Sequence, residues 1–545
     1  MSDHLRGADI VARSLERLGC HHVFTLSGNH IMSLFDAALE TGLDLVHVRH
    51  EAAAVHMADA WGRLTGKPGI AMVTGGPGHA NAMGALYTAL AAESPMVLLS
   101  GHAATWEIGR GGFQEMRQAD MAAPVTKASW TSTSAAMLGR DIGKALRIAM
   151  SGRPGPVHVS LPSDLLDEQV EASAIAWPDA NDTGHIGPTL SRAAADAILA
   201  EIAAAARPLI LAGPSLSSPA GRALLARLEA ATDTPCAILE IARGMADATL
   251  GAFADVAARA DLVILLGKAF DFSLKWAAAP AFDPAVRLIA IDPEAALLER
   301  AGAELGDRLA FAAIADPAQA AEAIIARTVK QRHPSDWHVT ARRALEYRPA
   351  AWASAAAQTS GRLHPAEVFR TLRPFVERDP DAVLICDGGE FAQWGQGMLP
   401  ARRRLVNGVA GAIGGSLPFA LAARLAEPKA PVFVVLGDGT FGFHMAEFET
   451  AVRRALPFVC VVGNDACWNA ESQIQRRDYG PNRMHGCDLL PARYDQVVAA
   501  LGGHGELVEQ VDELPAAIGR ALASGKPACI NVMIDSTAAP TIRLP

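Results

Sequence analysis

Short apolar runs that end in glycine or a polar turn recur along the chain, and the stretches between them carry apolar residues at helical spacing. In the first third the runs are "HHVFTLSG" at 21–28, "DLVHVRHE" at 44–51, "GIAMVTGG" at 69–76, "PMVLLSG" at 95–101 and "GPVHVSLP" at 155–162. Runs of this length predict strands buried on both faces of a parallel sheet, and helical stretches such as "AAAVHMADAWGRLTG" supply the cover. The polar stretch "PDANDTGHIGP" at 178–188 reads as a linker. A second block follows with "RPLILAG", "DLVILLG" and "VRLIAID". Residues 330–362 show no strand pattern and are expected to cross between domains. From residue 362 the alternation resumes with "AVLICDGG", "PVFVVLGDG", "FVCVVGND" and "ACINVMI". The pattern predicts an α/β protein of three doubly wound parallel-sheet domains, at 1–172, 188–330 and 358–545. The first and third are alike in grain, with no detectable sequence repeat.

Two strands of the last block end in Gly-Asp-Gly and in Asn-Asp. Asp438 and Asp465 lie 27 positions apart, one strand–helix–strand repeat. Parallel strands end on the same edge of a sheet, so both carboxylates should stand above the edge where open α/β sheets bind ligands. Gly437 and Gly439 allow a tight turn that brings backbone N–H groups close to a phosphate. Two hard oxygen ligands beside amide donors suit Mg²⁺ holding a diphosphate better than zinc. A Gly-Asp-Gly alone is an ordinary turn; the β-α-β spacing and the Asn-Asp end carry the reading.

Composition narrows the partners. The chain has 545 residues, half of them hydrophobic and 19% charged, as in a globular protein with ample core. Its net charge of −10 comes with no basic cluster, which argues against nucleic acid and anionic membranes as main partners. No apolar run is long enough to span a bilayer, and the start lacks the apolar core of a secretory signal. Seven cysteines without a CxxC pair read as reduced core thiols, so a cytoplasmic location is expected.

Taken together, these motifs resemble the thiamine-diphosphate-dependent enzymes related to acetolactate synthase, 2-hydroxyacyl-CoA lyase and benzaldehyde lyase. In that family a GDG is followed, after a helix and a strand, by two adjacent residues, usually Asn-Asn; here they are Asn464 and Asp465. The resemblance covers nearly the whole chain and is strongest in the first and third blocks. It implies thiamine diphosphate and Mg²⁺ as cofactors, with pyrimidine-binding, central and diphosphate-binding domains in that order. It further implies that Asp438 and Asp465 bind the metal through their side chains and Cys467 through its carbonyl. Gly437, Gly439, Thr440, and Gly389 and Glu390 of "CDGGEF" would surround the diphosphate. In "VAGAIGGSLPFALAARL", Ile413 would wedge between the cofactor rings, and the Gly411 carbonyl would accept from the amino group. Glu51, just past a strand in "LDLVHVRHEAAAVHMADAWGR", would be the acid beside the pyrimidine nitrogen, its pKa raised by apolar surroundings. On pattern alone it is a helix-start glutamate. With the diphosphate on one domain and Glu51 on another, the resemblance implies a homo-oligomer, dimer or tetramer, whose active site lies between subunits.

The reaction is less sharply marked. "TLSGNHIMSLFD" places Asn29 and His30 after the first strand, and His30 coincides with a proton-transferring histidine of the benzaldehyde lyase branch. Gln114 in "GGFQEMRQADMAAPVTK" matches a pocket glutamine of that family. Trp468, just after the metal loop, could wall the acceptor side or simply pack, Gln393 could face substrate or solvent, and His79 and His102 also sit near strand ends, where either could enter the pocket. Departures count as well: the metal loop continues "WNAESQIQRR", closer to the lyase-like branch, and Ala392 replaces a tyrosine of benzaldehyde lyase. The middle block has no clear GxGxxG, so flavin is not predicted. The basic stretch "QRRDYGPNR" is a weak candidate for meeting a CoA phosphate. The expectation is a lyase or carboligase acting through a C2 carbanion or enamine on a 2-hydroxyacyl-CoA, 2-hydroxy ketone or 2-oxo acid. Its rivals are an acetolactate-synthase-type decarboxylating condensation and, from another class, a catalytically silent regulatory protein of the same fold.

Overall fold

The computed structural model describes residues 3–185, 187–328 and 335–545. Residue 186 of the expected linker, and residues 329–334, where the central block was expected to end and the crossing segment to begin, lie outside the described residues. The chain divides into two compact units, residues 1–186 with 421–426, and residues 187–420 with 427–545.

The first unit is built on β2 (His22–Thr25), β3 (Asp44–His47), β4 (Gly69–Val73), β5 (Met96–His102), β6 (Ala128–Thr131) and β7 (Pro156–Pro162), all parallel, in the order β3-β2-β4-β5-β7-β6. A short antiparallel pair, β1 (His4–Arg6) with β8 (Gln169–Glu171), stands apart from it. The central strands β4, β5 and β7 are buried along their whole length, as their unbroken apolar runs require. The first part of the stretch expected as a linker is tied down on this unit. Asp182 is buried and accepts from Arg147 Nε at 2.7 Å, because a carboxylate with a fixed guanidinium partner is held more firmly than one left in solvent.

The second unit holds two parallel sheets. The central one comprises β9 (Pro208–Ala212), β10 (Cys236–Ile238), β11 (Leu262–Leu266), β12 (Arg287–Asp292) and β13 (Leu309–Ile314), ordered β10-β9-β11-β12-β13. The helix Asp336–Glu346 in the expected crossing segment packs on its core through Trp337, Ala341 and Ala344. The last sheet comprises β14 (Val383–Asp387), β15 (Arg403–Val406), β16 (Val432–Gly437), β17 (Val459–Asn464), β18 (His504–Val508) and β19 (Ala528–Met533), ordered β15-β14-β16-β17-β19-β18.

The first and last sheets have the same topology. In each, the first strand of the set has the second on one side and the third on the other, followed by the fourth, sixth and fifth. The strand order therefore reverses between β2 and β4 in one sheet and between β14 and β16 in the other, and such switch points open a crevice at the carboxyl ends. Among the described residues no helix is long and apolar enough to cross a membrane. Six of the seven cysteines are buried, and all seven are free thiols.

Candidate active site

The crevice between β14 and β16 holds a cavity of about 220 Å³. β14 ends at Asp387 and passes through Gly388 into the helix Gly389–Met398; β16 ends at Gly437 and passes directly into the helix Asp438–His444. Both helices present their N-termini, with unpaired N–H groups and positive dipole ends, to the same space. Gly389 sits at φ +64° with no atom within 4 Å of where a Cβ would stand, so the turn lies open to a ligand. At Gly439 the reason for glycine is close approach: a Cβ would meet the Trp468 ring at 2.6 Å.

Asp438 is 2% exposed and Asp465 8%, and both line the cavity. Asp438 Oδ1 accepts from the Gly439 N–H at 3.0 Å, while its buried Oδ2 has no hydrogen-bond partner. Burial lifts Asp438 to about 6; burial, and then the Asp438 charge, lift Asp465 to about 7. Two buried carboxylates disfavoured in their charged forms in this way are a site for a cation. Among the described residues no cluster of three or more His, Cys, Asp or Glu side chains is arranged for a metal, so two carboxylates are what the side chains offer. Asn464 turns the other way, donating to Ala492 O and Asn531 Oδ1 at 3.0 Å each, which anchors the loop and leaves Asp465 facing the cavity. Ala466 adopts φ +58°, a left-handed conformation that costs a non-glycine residue about 1–3 kcal/mol. Cys467 follows it and lines the cavity. An antiparallel bridge pairs Trp468 N–H with Cys487 O and Leu489 N–H with Ala466 O, so the main-chain groups of Cys467 face away from that partner segment.

Three features support this arrangement that the sequence did not mark. Asp387, fully buried, accepts from the N–H groups of Gly414 and Ser416 at 2.9 and 3.0 Å, and so holds the loop that brings Gly411 and Ile413 to the cavity. From the central domain, Ile241, Ala242 and Arg243 also line the cavity, and Arg243 Nη2 lies 3.4 Å from Glu390 Oε1. The C-terminal segment covers one side. Ser536 bonds to Asp465, Thr537 O accepts from Asn469 Nδ2, Ala538 O from Trp394 Nε1, and the Ala539 N–H donates to Glu390. The Glu390 carboxylate is thereby committed within the protein. Thr440, Gln393 and Trp468 complete the predicted set in this cavity, and Gln393 Oε1 is buried without a partner.

The other predicted residues gather at the switch point of the first sheet. Glu51 is the first residue of the helix Glu51–Thr65 and is 9% exposed. Its Oε2 accepts from Asn81 Nδ2 at 3.0 Å, and its Oε1 lies 3.3 Å from where a Cβ on Gly78 would stand. His30, in the turn Asn29–Ile31 after β2, is buried with Nδ1 3.3 Å from Thr74 Oγ1, and its ring stacks on Phe113 at 5.9 Å. Burial holds the His30 pKa below that of a free histidine. Asn29 is exposed. Gln114 sits at φ +56°, and its backbone presses against Gly76. A second glutamine, Gln118, is the buried one. It accepts from the Gly76 N–H at 2.8 Å and donates to Gly101 O and Ser160 Oγ at 3.0 Å each, joining three strand ends. His79 bonds to Ser100, and His102 lies between the carbonyls of Ala103 and Met116, so both serve the scaffold.

Residues 5–121 match the family described as thiamine pyrophosphate enzyme, N-terminal TPP binding domain, and residues 387–532 match its C-terminal TPP binding domain. A probable acetolactate synthase of Mycobacterium bovis is 33% identical over 554 residues, covering 97% of this chain and 96% of that protein. The 2-hydroxyacyl-CoA lyase 2 of Homo sapiens is 29% identical over 588 residues, at 97% and 90% coverage. The 2-hydroxyacyl-CoA lyase of Arabidopsis thaliana is 28% identical over 565 residues, at 97% and 95%. The chain belongs to the thiamine pyrophosphate enzyme family. Membership makes it an enzyme that uses thiamine diphosphate. A thiamine pyrophosphate enzyme needs a place for a diphosphate with its counter-cation, and the cavity at β14 and β16 fits one. Two helix N-termini open there, the Asp438 Oδ2 lacks a partner, and burial raises the pKa of both neighbouring carboxylates, a penalty on their charge that a divalent ion would relieve. Asp438, Asp465 and the Cys467 carbonyl could hold the ion; Gly389, Gly437, Gly439 and Thr440 could meet the phosphates.

Proposed function

We propose that the enzyme makes or breaks a C–C bond next to a carbonyl, as a lyase or carboligase for a 2-hydroxyacyl-CoA, a 2-hydroxy ketone or a 2-oxo acid, with Mg²⁺ anchoring its cofactor. When bound, thiamine diphosphate supplies a carbanion centre that adds to a carbonyl and takes up the electron pair of the cleaved bond. The protein's share is to bind, orient and move protons. Asp438, Asp465 and the Cys467 carbonyl hold the cation, and the Gly411 carbonyl and Ile413 orient the ring end. Glu51 holds a proton at the pyrimidine nitrogen, its position set by Asn81. His30 moves a proton to or from substrate oxygen, Gln114 orients the carbonyl, and Asn29, Gln393 and Trp468 line the acceptor side. We further propose a homo-oligomer in which the site draws Glu51 from one copy and the cation cavity from another. Exposed Phe113 beside His30, exposed Trp106, and exposed Phe443 beside Trp468 support that reading.

The observation that carries the proposal is the convergence of Asp438, Asp465, Gly389, Gly411, Ile413 and Trp468 on one cavity whose buried Asp438 oxygen lacks a partner. It is tested by presenting pyruvate, oxalyl-CoA, 2-hydroxyacyl-CoAs and benzoin to the enzyme with thiamine diphosphate and Mg²⁺. Cofactor-dependent C–C cleavage or condensation of at least one is expected; a cofactor-loaded enzyme that turns over none refutes it. The 33% identity to a probable acetolactate synthase favours a second reading, decarboxylating condensation of 2-oxo acids. Acetolactate formed from pyruvate would establish it over thioester or hydroxy ketone cleavage.

A further inference from the structure

A second cavity of the second unit, larger than the first, lies elsewhere. It measures about 1140 Å³ and is lined from both β10, an edge strand of the central sheet, and Arg404 of β15, an edge strand of the last. In a chain of net charge −10, its lining carries seven arginines against four carboxylates. Four of the seven are used internally: Arg404 and Arg222 both bind Glu240, Arg342 binds Glu229 and Arg373 binds Glu377. Among the described residues, however, Arg348, Arg370 and Arg402 form no ion pair. Arg348 is held by the carbonyls of Gly397, Leu345, Tyr347 and Thr249, and Arg370 by those of Trp352 and Ala355. Carbonyl partners fix a guanidinium in place without cancelling its charge, which leaves a preset cation for an anionic ligand.

The wall also holds polar atoms without protein partners. Gln396 is 2% exposed with Oε1 unbonded, Arg404 Nε is unbonded on a side chain 7% exposed, and Thr249 Oγ1 is likewise unbonded. Buried polar groups left so are costly unless water or a ligand meets them. The rest of the lining includes Trp352 and aliphatic side chains, and the volume is ample for a metabolite-sized ligand.

We propose that this cleft binds a small phosphate ester with an apolar or aromatic body, at a site separate from the cofactor cavity. The two cavities share a wall, since the helix Gly389–Met398 begins in one and ends in the other. The test is calorimetric titration of the enzyme, loaded with thiamine diphosphate and Mg²⁺, with ATP and with inorganic pyrophosphate. ATP is expected to saturate one site per chain with a Kd below about 1 mM, and pyrophosphate to bind more weakly. Arg402→Glu, at an exposed position, and Arg370→Met should each weaken ATP by at least about tenfold, the loss of one charge-assisted hydrogen bond. Circular dichroism checks that both variants remain folded. Absence of saturable binding by either probe, or parent-like affinity in both variants, would overturn the site. Equal affinity for the two probes would overturn the apolar-body requirement.

Discussion

At the scale of single residues the account rests on groups held where free side chains would not stay. Ala466 and Gln114, both left-handed without being glycine, stand at the turn after β17 and at the first-sheet switch point, where strain is retained only if the surroundings enforce it. Glu51 is buried and accepts from the Asn81 amide, which fixes its carboxylate in place. Glu51→Gln keeps the shape and the Asn81 contact but removes the proton. It should retain thiamine diphosphate while turnover falls by about 10²–10⁴-fold, measured as kcat with cofactor retention by fluorescence; unchanged kcat would remove Glu51 from the chemistry. His30 has its pKa lowered by burial, so the neutral ring persists to a lower pH than in free histidine. If its neutral form takes the proton, the acid limb of kcat/KM should fall below about pH 6.5. His30→Gln should abolish that limb, and a limb that survives the change would assign the titration elsewhere.

Elements explain what was legible and what was not. Every strand expected from an apolar run is present, and all of them except the edge strand β3 are interior strands of a parallel sheet, buried on both faces. The strands of the three main sheets that the pattern missed, β6, β10, β13, β15 and β18, are all edge strands. An edge strand has one neighbour and partial solvent contact, so "HGELV" and "RRLV" carry no apolar signature. The site divides in the same way. Asp438 and Asp465 announce themselves through motif and spacing and Glu51 only through the family resemblance, whereas Asp387, Arg243, Asn81 and Gln118 act through contacts between segments far apart in sequence. Two predictions belong here. Asp387→Ala leaves two buried N–H groups without an acceptor, at about 1–3 kcal/mol each. It should lower the midpoint of urea unfolding and weaken cofactor binding together; a parent-like stability would show that the Gly411–Ile413 loop is held by something else. Deleting residues 536–545 removes the partners of Asp465, Asn469, Trp394 and Glu390, and should speed cofactor dissociation in stopped-flow chase. Unaltered dissociation would mean that the segment does not cover the site.

For the whole molecule, two sheets of identical strand order each place their candidate residues at the point where that order reverses, one offering an acid and a histidine, the other two carboxylates. The exposed Trp106 and Phe113 on the first unit and Phe443 on the second are the surfaces such a division would bury between copies. Replacing Trp106 and Phe113 by serine should therefore lower the sedimentation coefficient and the specific activity in parallel. The central claim is that a divalent cation on Asp438 and Asp465 anchors the diphosphate. Its most direct measurement is calorimetric titration of thiamine diphosphate with and without Mg²⁺, on the parent and on Asp438→Ala and Asp465→Ala. The account predicts Mg²⁺-dependent binding in the parent and a loss of at least about 100-fold in each variant; Mg²⁺-independent binding, or variants with the parent's affinity, would contradict it.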